Sequence, residues 1–186
     1  VMHSSQYANG HAWKGKKAMV MGTGNSGHDV AQDMHASGAD VSIIQRNSTL
    51  IVSLEQAQTV YTMYTEGPPL EDCDLLATAS PYPVLIKGYQ IAAAAMQKAD
   101  KALLDGLAAR GFVLDNGAPD DTGYQMKYLR RGGGYYFNVG ASDLIVSGDI
   151  GLVQNKDIDT FVPEGVKLKD GSVVEADVLV TATGYK

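Results

Sequence analysis

The chain has one cysteine, Cys73, among its 186 residues. A lone thiol excludes an internal disulfide, a C-x-x-C redox pair and a thiolate-rich zinc site, and leaves Cys73 as an inert packing or surface residue. Positive charge is scarce as well. Fifteen Lys and Arg face 21 Asp and Glu, for a net charge of −6, and adjacent basic residues occur only in short groups such as Arg130-Arg131. That balance argues against a nucleic-acid surface and for a small ligand met by local positive charge. Long apolar runs are missing: the longest aliphatic stretch, Ile91 to Met96, falls far short of the ~20 residues of a membrane-spanning helix. No tyrosine is followed four residues later by lysine, which removes the acid/base pair of a short-chain dehydrogenase. The lone cysteine likewise disfavours a disulfide-reductase flavoprotein. Internal repeats and low-complexity linkers are absent, so residues 1–186 are expected to form one domain. The sequence opens at Val1 without a charged, apolar, small-residue leader. The expectation is a piece of a longer gene product, in the cytoplasm, with Cys73 reduced.

What the chain does have is a strand, a glycine turn, a helix and a second strand between Lys17 and Arg46. Lys17 to Met21 reads as the first strand, Gly22-Thr23-Gly24-Asn25-Ser26-Gly27 as the turn, and Val41 to Arg46 as the closing strand. A lone G-x-G-x-x-G is weak evidence, but this one occupies the strand-to-helix junction of a unit of about 30 residues, the context that gives the motif its meaning. Gly22 permits the tight turn, Gly24 lets backbone approach a pyrophosphate, and Gly27 lets helix and strand pack closely. Asn25 and Ser26 open the helix, where unpaired N–H groups collect and suit phosphate. An NAD-specific unit places Asp or Glu roughly 20 residues past the glycines, on the ribose 2′-hydroxyl. Here the second strand ends instead in Gln45-Arg46-Asn47-Ser48-Thr49. A planar, permanently charged guanidinium with hydroxyls beside it suits a 2′-phosphate, so NADP(H) is the expected cofactor. The competing reading of Arg46 is a solvated strand-end charge.

In the first helix Gly27, Val30, Ala31, Met34 and Gly38 form the sheet-facing stripe. His28 and His35 read as helix-surface residues with no third ligand nearby, so no metal site is expected. Leu54 to Tyr64 is a second helix, the prolines between Gly67 and Pro83 predict loops and turns, and Gly88 to Arg110 is one long helix with a stripe of Ile91, Ala95, Ala99, Leu103 and Leu107. Phe112 to Tyr128 contains the turn signals Asn116-Gly117 and Pro119-Asp120-Asp121, and Arg130 to Gly134 reads as either a mobile cover for the cofactor or a solvated turn ahead of a strand from Tyr135. Leu152-Val153, Asp159 to Val162, Val166 to Leu168 and Val173-Val174 read as a small antiparallel meander, with Asp170-Gly171 as its hairpin signal. Asp177 to Thr181 reads as a strand buried on both faces of a parallel sheet, running into Ala182-Thr183-Gly184-Tyr185. The fold class is α/β: a Rossmann-like dinucleotide-binding domain with a helical insertion at about 54–131 and the small meander.

Several of these stretches together carry a family likeness. His3-Ser4-Ser5-Gln6-Tyr7, the turn from Gly22 to Ala31, Gln45 to Thr49, Gly134-Tyr135-Tyr136 and Asp177 to Tyr185 resemble the class B flavin-containing monooxygenases, especially fungal and bacterial members related to the plant YUCCA-type enzymes. His3 and Tyr7 match the last two fixed positions of the family's F-x-G-x-x-x-H-x-x-x-[YF] motif, and Ala182 to Tyr185 its ATG-type motif. Asn138 departs from the acidic residue common in relatives. The resemblance implies an excised NADPH domain whose intact protein also holds FAD: NADPH reduces the flavin, O₂ adds to it, and a C4a-hydroperoxyflavin oxygenates a small organic substrate. The cofactor carries that chemistry, so no catalytic residue is assigned. The expected cofactor contacts are Gly22, Thr23, Gly24, Asn25, Ser26, Gly27, Gln45, Arg46, Asn47 and Ser48, with Thr183 and Gly184 near the flavin. The expected partners are a separate FAD domain, the substrate and O₂. The alternative function is an NADP(H)-binding or regulatory module without redox activity of its own.

Overall fold

The computed structural model describes residues 1–65 and 67–184; Tyr185, at the end of the ATG-type stretch, lies outside them. The chain opens with a short strand β1 (Met2–His3), then β2 (Lys17–Met21), helix α1 (Asn25–Ala36), β3 (Asp40–Gln45) and β4 (Leu50–Ser53). Helices follow: α2 (Leu54–Gln58), α3 (Thr62–Thr65), α4 (Leu70–Ala79), α5 (Tyr82–Ala99), α6 (Lys101–Ala109) and α7 (Gly123–Arg131). The last part holds β5 (Tyr135–Asn138), α8 (Ala141–Ser147), β6 (Ile150–Gln154), β7 (Ile158–Val162), β8 (Gly165–Leu168), β9 (Val173–Glu175) and β10 (Val178–Thr181).

Five strands form a parallel sheet in the order β1-β10-β2-β3-β6. Alternation along β2 shows how it is held. Ala18 and Val20 join a cluster with Val30, Ala31 and Met34 of α1, Leu107 of α6 and Ile145 of α8. Met19, between them, joins Ile44, Val153 and Val166 on the other face, with Ile158, Leu168 and Val174 packed alongside. The period-2 pleat thus sends alternate side chains into two cores, one under the helices and one under the antiparallel sheet β7-β8-β9. A separate parallel pair, β4 and β5, carries a third cluster in which Leu50, Val52 and Tyr135 meet Ala57 and Met96.

Several local expectations are corrected. Leu152-Val153 is part of β6, paired in parallel with β3, and not of the meander. A short apolar run does not reveal the direction of its partner. The proline-rich region holds α4 and the start of α5: Pro81 is the N-cap of α5 and a proline follows in its first turn, where a missing N–H removes no intrahelical bond. Gly88 to Arg110 is two helices, parted at Asp100, whose carboxylate accepts from the Ser53 N–H and hydroxyl, both at 2.7 Å. Its buried residues are Ala93, Met96 and Leu107, whereas Ile91 is 63% exposed. The two arginines of the expected Arg130 to Gly134 loop instead end α7, which is closed by Gly132, whose N–H reaches the Lys127 and Tyr128 carbonyls. No helix among the described residues is long and apolar enough to cross a membrane.

Candidate functional site

The ends of the parallel strands build one cleft of about 980 Å³. In an open parallel sheet, chains leaving neighbouring strands on opposite sides create a crevice at the carboxyl edge. Here β2 is that point. It is followed by Gly22, flanked by β3, which leads to Arg46, and by β10, which leads to Ala182. Gly22 to Ser26, Arg46 to Thr49, Ala182 to Gly184 and Ser4, just past β1, all line the cleft.

The glycines divide the work. Gly22 has φ +122°, and a Cβ on it would lie 2.3 Å from the Ala182 carbonyl oxygen, so its bareness lets the β10 exit cross the turn. Gly27 does not line the cleft; a Cβ there would lie 2.0 Å from the Gly22 oxygen, which fixes α1 against the turn. At Gly24, the N-cap of α1, the nearest atom to a Cβ would be the Tyr135 oxygen at 3.8 Å. Neighbours do not require glycine there; its open backbone at the helix start faces the cleft. The first-turn N–H groups of α1, with the positive end of the helix dipole, make this end suited to an anion.

Side chains tie the loops together. The hydroxyls of Thr23 and Thr49, both buried, lie 2.6 Å apart and join the glycine turn to the loop after β3. The Asn25 Oδ1 accepts from the Phe137 N–H at 3.0 Å, so that side chain anchors β5 and Asn25 serves the cleft through its place in the first turn. Ser26, Arg46 and Asn47 line the cleft, Arg46 exposed at its edge. Ser48 donates to Asp115 Oδ2 at 3.0 Å.

Gln45 is a correction. Its side chain is buried away from the cleft, donating to the Val113 carbonyl at 2.9 Å and accepting from the Val113 N–H at 2.8 Å and from Gln154 at 2.7 Å. Neighbours on a strand point to opposite sides, so Gln45 and Arg46 do not share a site. His28 is a second correction. It is fully buried, its ring stacked on Tyr136 with centroids 3.9 Å apart, and its Nδ1 lies 3.2 Å from the Gly24 oxygen. Burial lowers its pKa to about 4, against the pull of the backbone carbonyls of Gly24 and Thr23. It therefore supports the glycine turn as a neutral ring. His3 and Tyr7 are both held in place. His3 Nε2 lies 3.3 Å from the Gly184 oxygen, and the Tyr7 hydroxyl donates to Asp33 at 2.6 Å.

The structure adds residues that sequence reasoning missed. These are Asp115, Lys127 and Tyr135, which also line the cleft; Arg131, Gly133 and Gly134, from the stretch read as a cofactor cover or a solvated turn, line it too. Lys127, only 8% exposed, pairs with Asp115 at 2.9 Å. Burial works to raise the Asp115 carboxyl. Hydrogen bonds from Lys127, the Gly117 and Ala118 N–H groups and Ser48 outweigh it and hold the group below its usual range. Both residues fall in the stretch that carries only turn signals, so no periodic signal marked them. Arg130 turns away to Asp120 at 2.7 Å, and this pairing brings the Asp120 carboxyl down to about 2. Among the described residues no group of His, Cys, Asp and Glu is arranged to hold a metal ion.

Residues 1–64 match the family described as flavin-binding monooxygenase-like. The indole-3-pyruvate monooxygenase YUCCA4 of Oryza sativa subsp. japonica is 30% identical over 187 residues, which cover 100% of this chain and 37% of that protein. YUCCA1 of the same plant is 29% identical over 191 residues, covering 100% and 40%. The chain thus spans well under half the length of these curated relatives. Among solved structures, cyclohexanone monooxygenase bound to epsilon-caprolactone superposes with a TM-score of 0.61 at 16% identity, over 100% of this chain and 43% of that one. The NADP⁺-bound enzyme of Rhodococcus sp. Phi1 gives 0.59 at 18% identity, over 99% and 41%. These likenesses establish a shared fold, and the sequence matches show that the chain is similar, over its whole length, to part of these flavin monooxygenases.

Proposed function

We propose that this chain is the NADP(H)-binding domain of a flavin-dependent monooxygenase whose FAD site lies in another part of the protein. One observation carries the reading: the anion-binding end of α1 and the guanidinium of Arg46 line the same cleft, where the second strand ends without an acid. In that reading Gly24, Asn25 and Ser26 take the pyrophosphate, and Arg46, with Asn47 and Ser48, takes the ribose 2′-phosphate. Thr183 and Gly184 line the side of the cleft built by the exit from β10. The bare Gly24 and the broad, polar cleft fit such a cofactor. In the whole protein the cofactors supply the redox chemistry, with hydride from NADPH to FAD and oxygen activated on the reduced flavin for a small organic substrate. This chain's own part is to bind and orient the dinucleotide, in a protein read as cytoplasmic.

Calorimetric titration of the chain with NADPH and NADH, repeated on Arg46→Ala, tests the assignment. The expected result is tighter binding of NADPH and a loss of about 1–2 kcal/mol of that preference in the variant, on the scale of a charge-assisted phosphate contact. A preference unchanged in Arg46→Ala, or tighter NADH binding, overturns the 2′-phosphate contact.

A further inference from the structure

A second cavity, of about 250 Å³, lies between β4 and helices α5, α6 and α7. Its walls are mainly apolar, with Leu50 and Val52 from the strand, Met96 and Leu104 from the helices and Leu114 from the segment after them. Asp115 lines both this cavity and the dinucleotide cleft, so the two adjoin. A dry apolar cavity of roughly 150 Å³ holds a benzene ring; this one has space for a substituted ring or two fused rings.

The polar groups on its lining are not equivalent. The Tyr124 hydroxyl donates to the Ala57 carbonyl at 3.0 Å, and the Asp115 carboxylate accepts from Lys127, Ser48 and the Gly117 N–H. Asn116 differs: its Oδ1 is buried and accepts no hydrogen bond. A buried acceptor without a donor is costly, and a ligand donor would satisfy it. Apolar walls with one or two directing polar groups are the usual make-up of a small-molecule site.

We propose that this cavity binds a small ring compound carrying one N–H or O–H donor, its ring against Leu50, Val52, Met96 and Leu104 and its donor on Asn116 Oδ1. The site is separate from the cleft of Arg46 and does not depend on how the dinucleotide reading fares.

Phenol and toluene are near-isosteres that differ by one hydroxyl, and amide NMR titration of the chain with each reads affinity and location together. Phenol is expected to bind about tenfold more tightly than toluene, the size of one hydrogen bond, with shifts centred on Leu50, Met96 and Tyr124. Asn116→Leu, similar in volume, is expected to bring the ratio to about one or below while toluene binding persists. Ala93→Met, which extends a flexible side chain from the cavity wall, is expected to lose both ligands, and its unliganded spectrum reports whether it folds. Equal binding of the two probes, a ratio unchanged in Asn116→Leu, shifts centred elsewhere or no saturable phenol binding each overturns the proposal.

Discussion

The parallel sheet and the helices of residues 54–131 draw on the same aliphatic residues and treat them in opposite ways. In the sheet Val20, Val41, Ile43, Ile44 and Ile150 are all buried. In the helices Leu70, Leu75, Leu76, Ile91 and Leu129 are exposed, while the small Ala93 and Ala57 lie inside. Hydrophobicity is the same; the neighbours differ. A central parallel strand has a partner on each edge and a layer on each face, so its position alone buries its side chains. A helix at the rim is covered along one stripe, and the direction from which its neighbours arrive decides which stripe that is.

The glycines give the largest effect by which this contrast can be broken. Gly27 and Gly88 are both inside helices, where alanine is intrinsically better by about 1 kcal/mol. A Cβ at Gly88 meets nothing within 4 Å, whereas at Gly27 it would lie 2.0 Å from a backbone oxygen. Urea unfolding should therefore show opposite signs: Gly27→Ala losing about 3 kcal/mol or more from overpacking, Gly88→Ala gaining up to about 1 kcal/mol. A tolerated Gly27→Ala would mean that α1 is not pinned to the turn, and the distinction between the two regions would lose its clearest case.

Buried titratable groups offer the next test, because each region solves burial differently. Lys127 is buried against Asp115 at 2.9 Å, whereas His28 is buried with its pKa lowered from 6.5 to about 4. The unfolded chain binds a proton at His28 first as pH falls, so the neutral ring's contribution is complete above about pH 6.5, declines below it and is exhausted below about pH 4. The full loss is about 3 kcal/mol. Unfolding free energies at about pH 7.5 and about pH 4, compared between the parent and His28→Gln, isolate this contribution from that of the carboxylates. The parent should lose about 3 kcal/mol more than the variant; identical slopes would show that His28 is not buried neutral.

Legibility in the sequence followed the same division. The turn from Gly22 to Gly27 and the strand end at Arg46 were readable because their geometry is set within one βαβ unit, by contacts close in sequence. Adjacency to Arg46 in sequence assigns Gln45 to the cleft, but the pleat of a strand sends neighbouring side chains to opposite sides. His28 is misread because Tyr136, which stacks on it, arrives from β5, beyond α7. Asp115 and Lys127 went unnoticed for the same reason: an ion pair between a loop and a helix leaves no period. Leu152-Val153 was recognisable as strand, but its pairing with Ile43 and Ile44 is a matter of topology rather than local pattern.

The smallest expected effect concerns the stripe itself. Spacing alone placed Ile91 on the buried side of its helix, yet Ile91 is 63% exposed and Met96, in the same helix, 7% exposed. The difference follows from what the helix meets: Met96 joins Leu50, Val52 and Tyr135 on the β4-β5 pair, while no such cluster includes Ile91. Ile91→Ala should change stability by no more than about 0.5 kcal/mol, as expected for an exposed site. Met96→Ala should cost about 2 kcal/mol, the low end for a core truncation, because Met96 already borders a cavity and leaves fewer contacts to lose. Thermal melts of the two variants under one buffer give the comparison directly. Equal losses would restore the stripe that spacing suggests and would place the cover of this helix on the opposite side from β4.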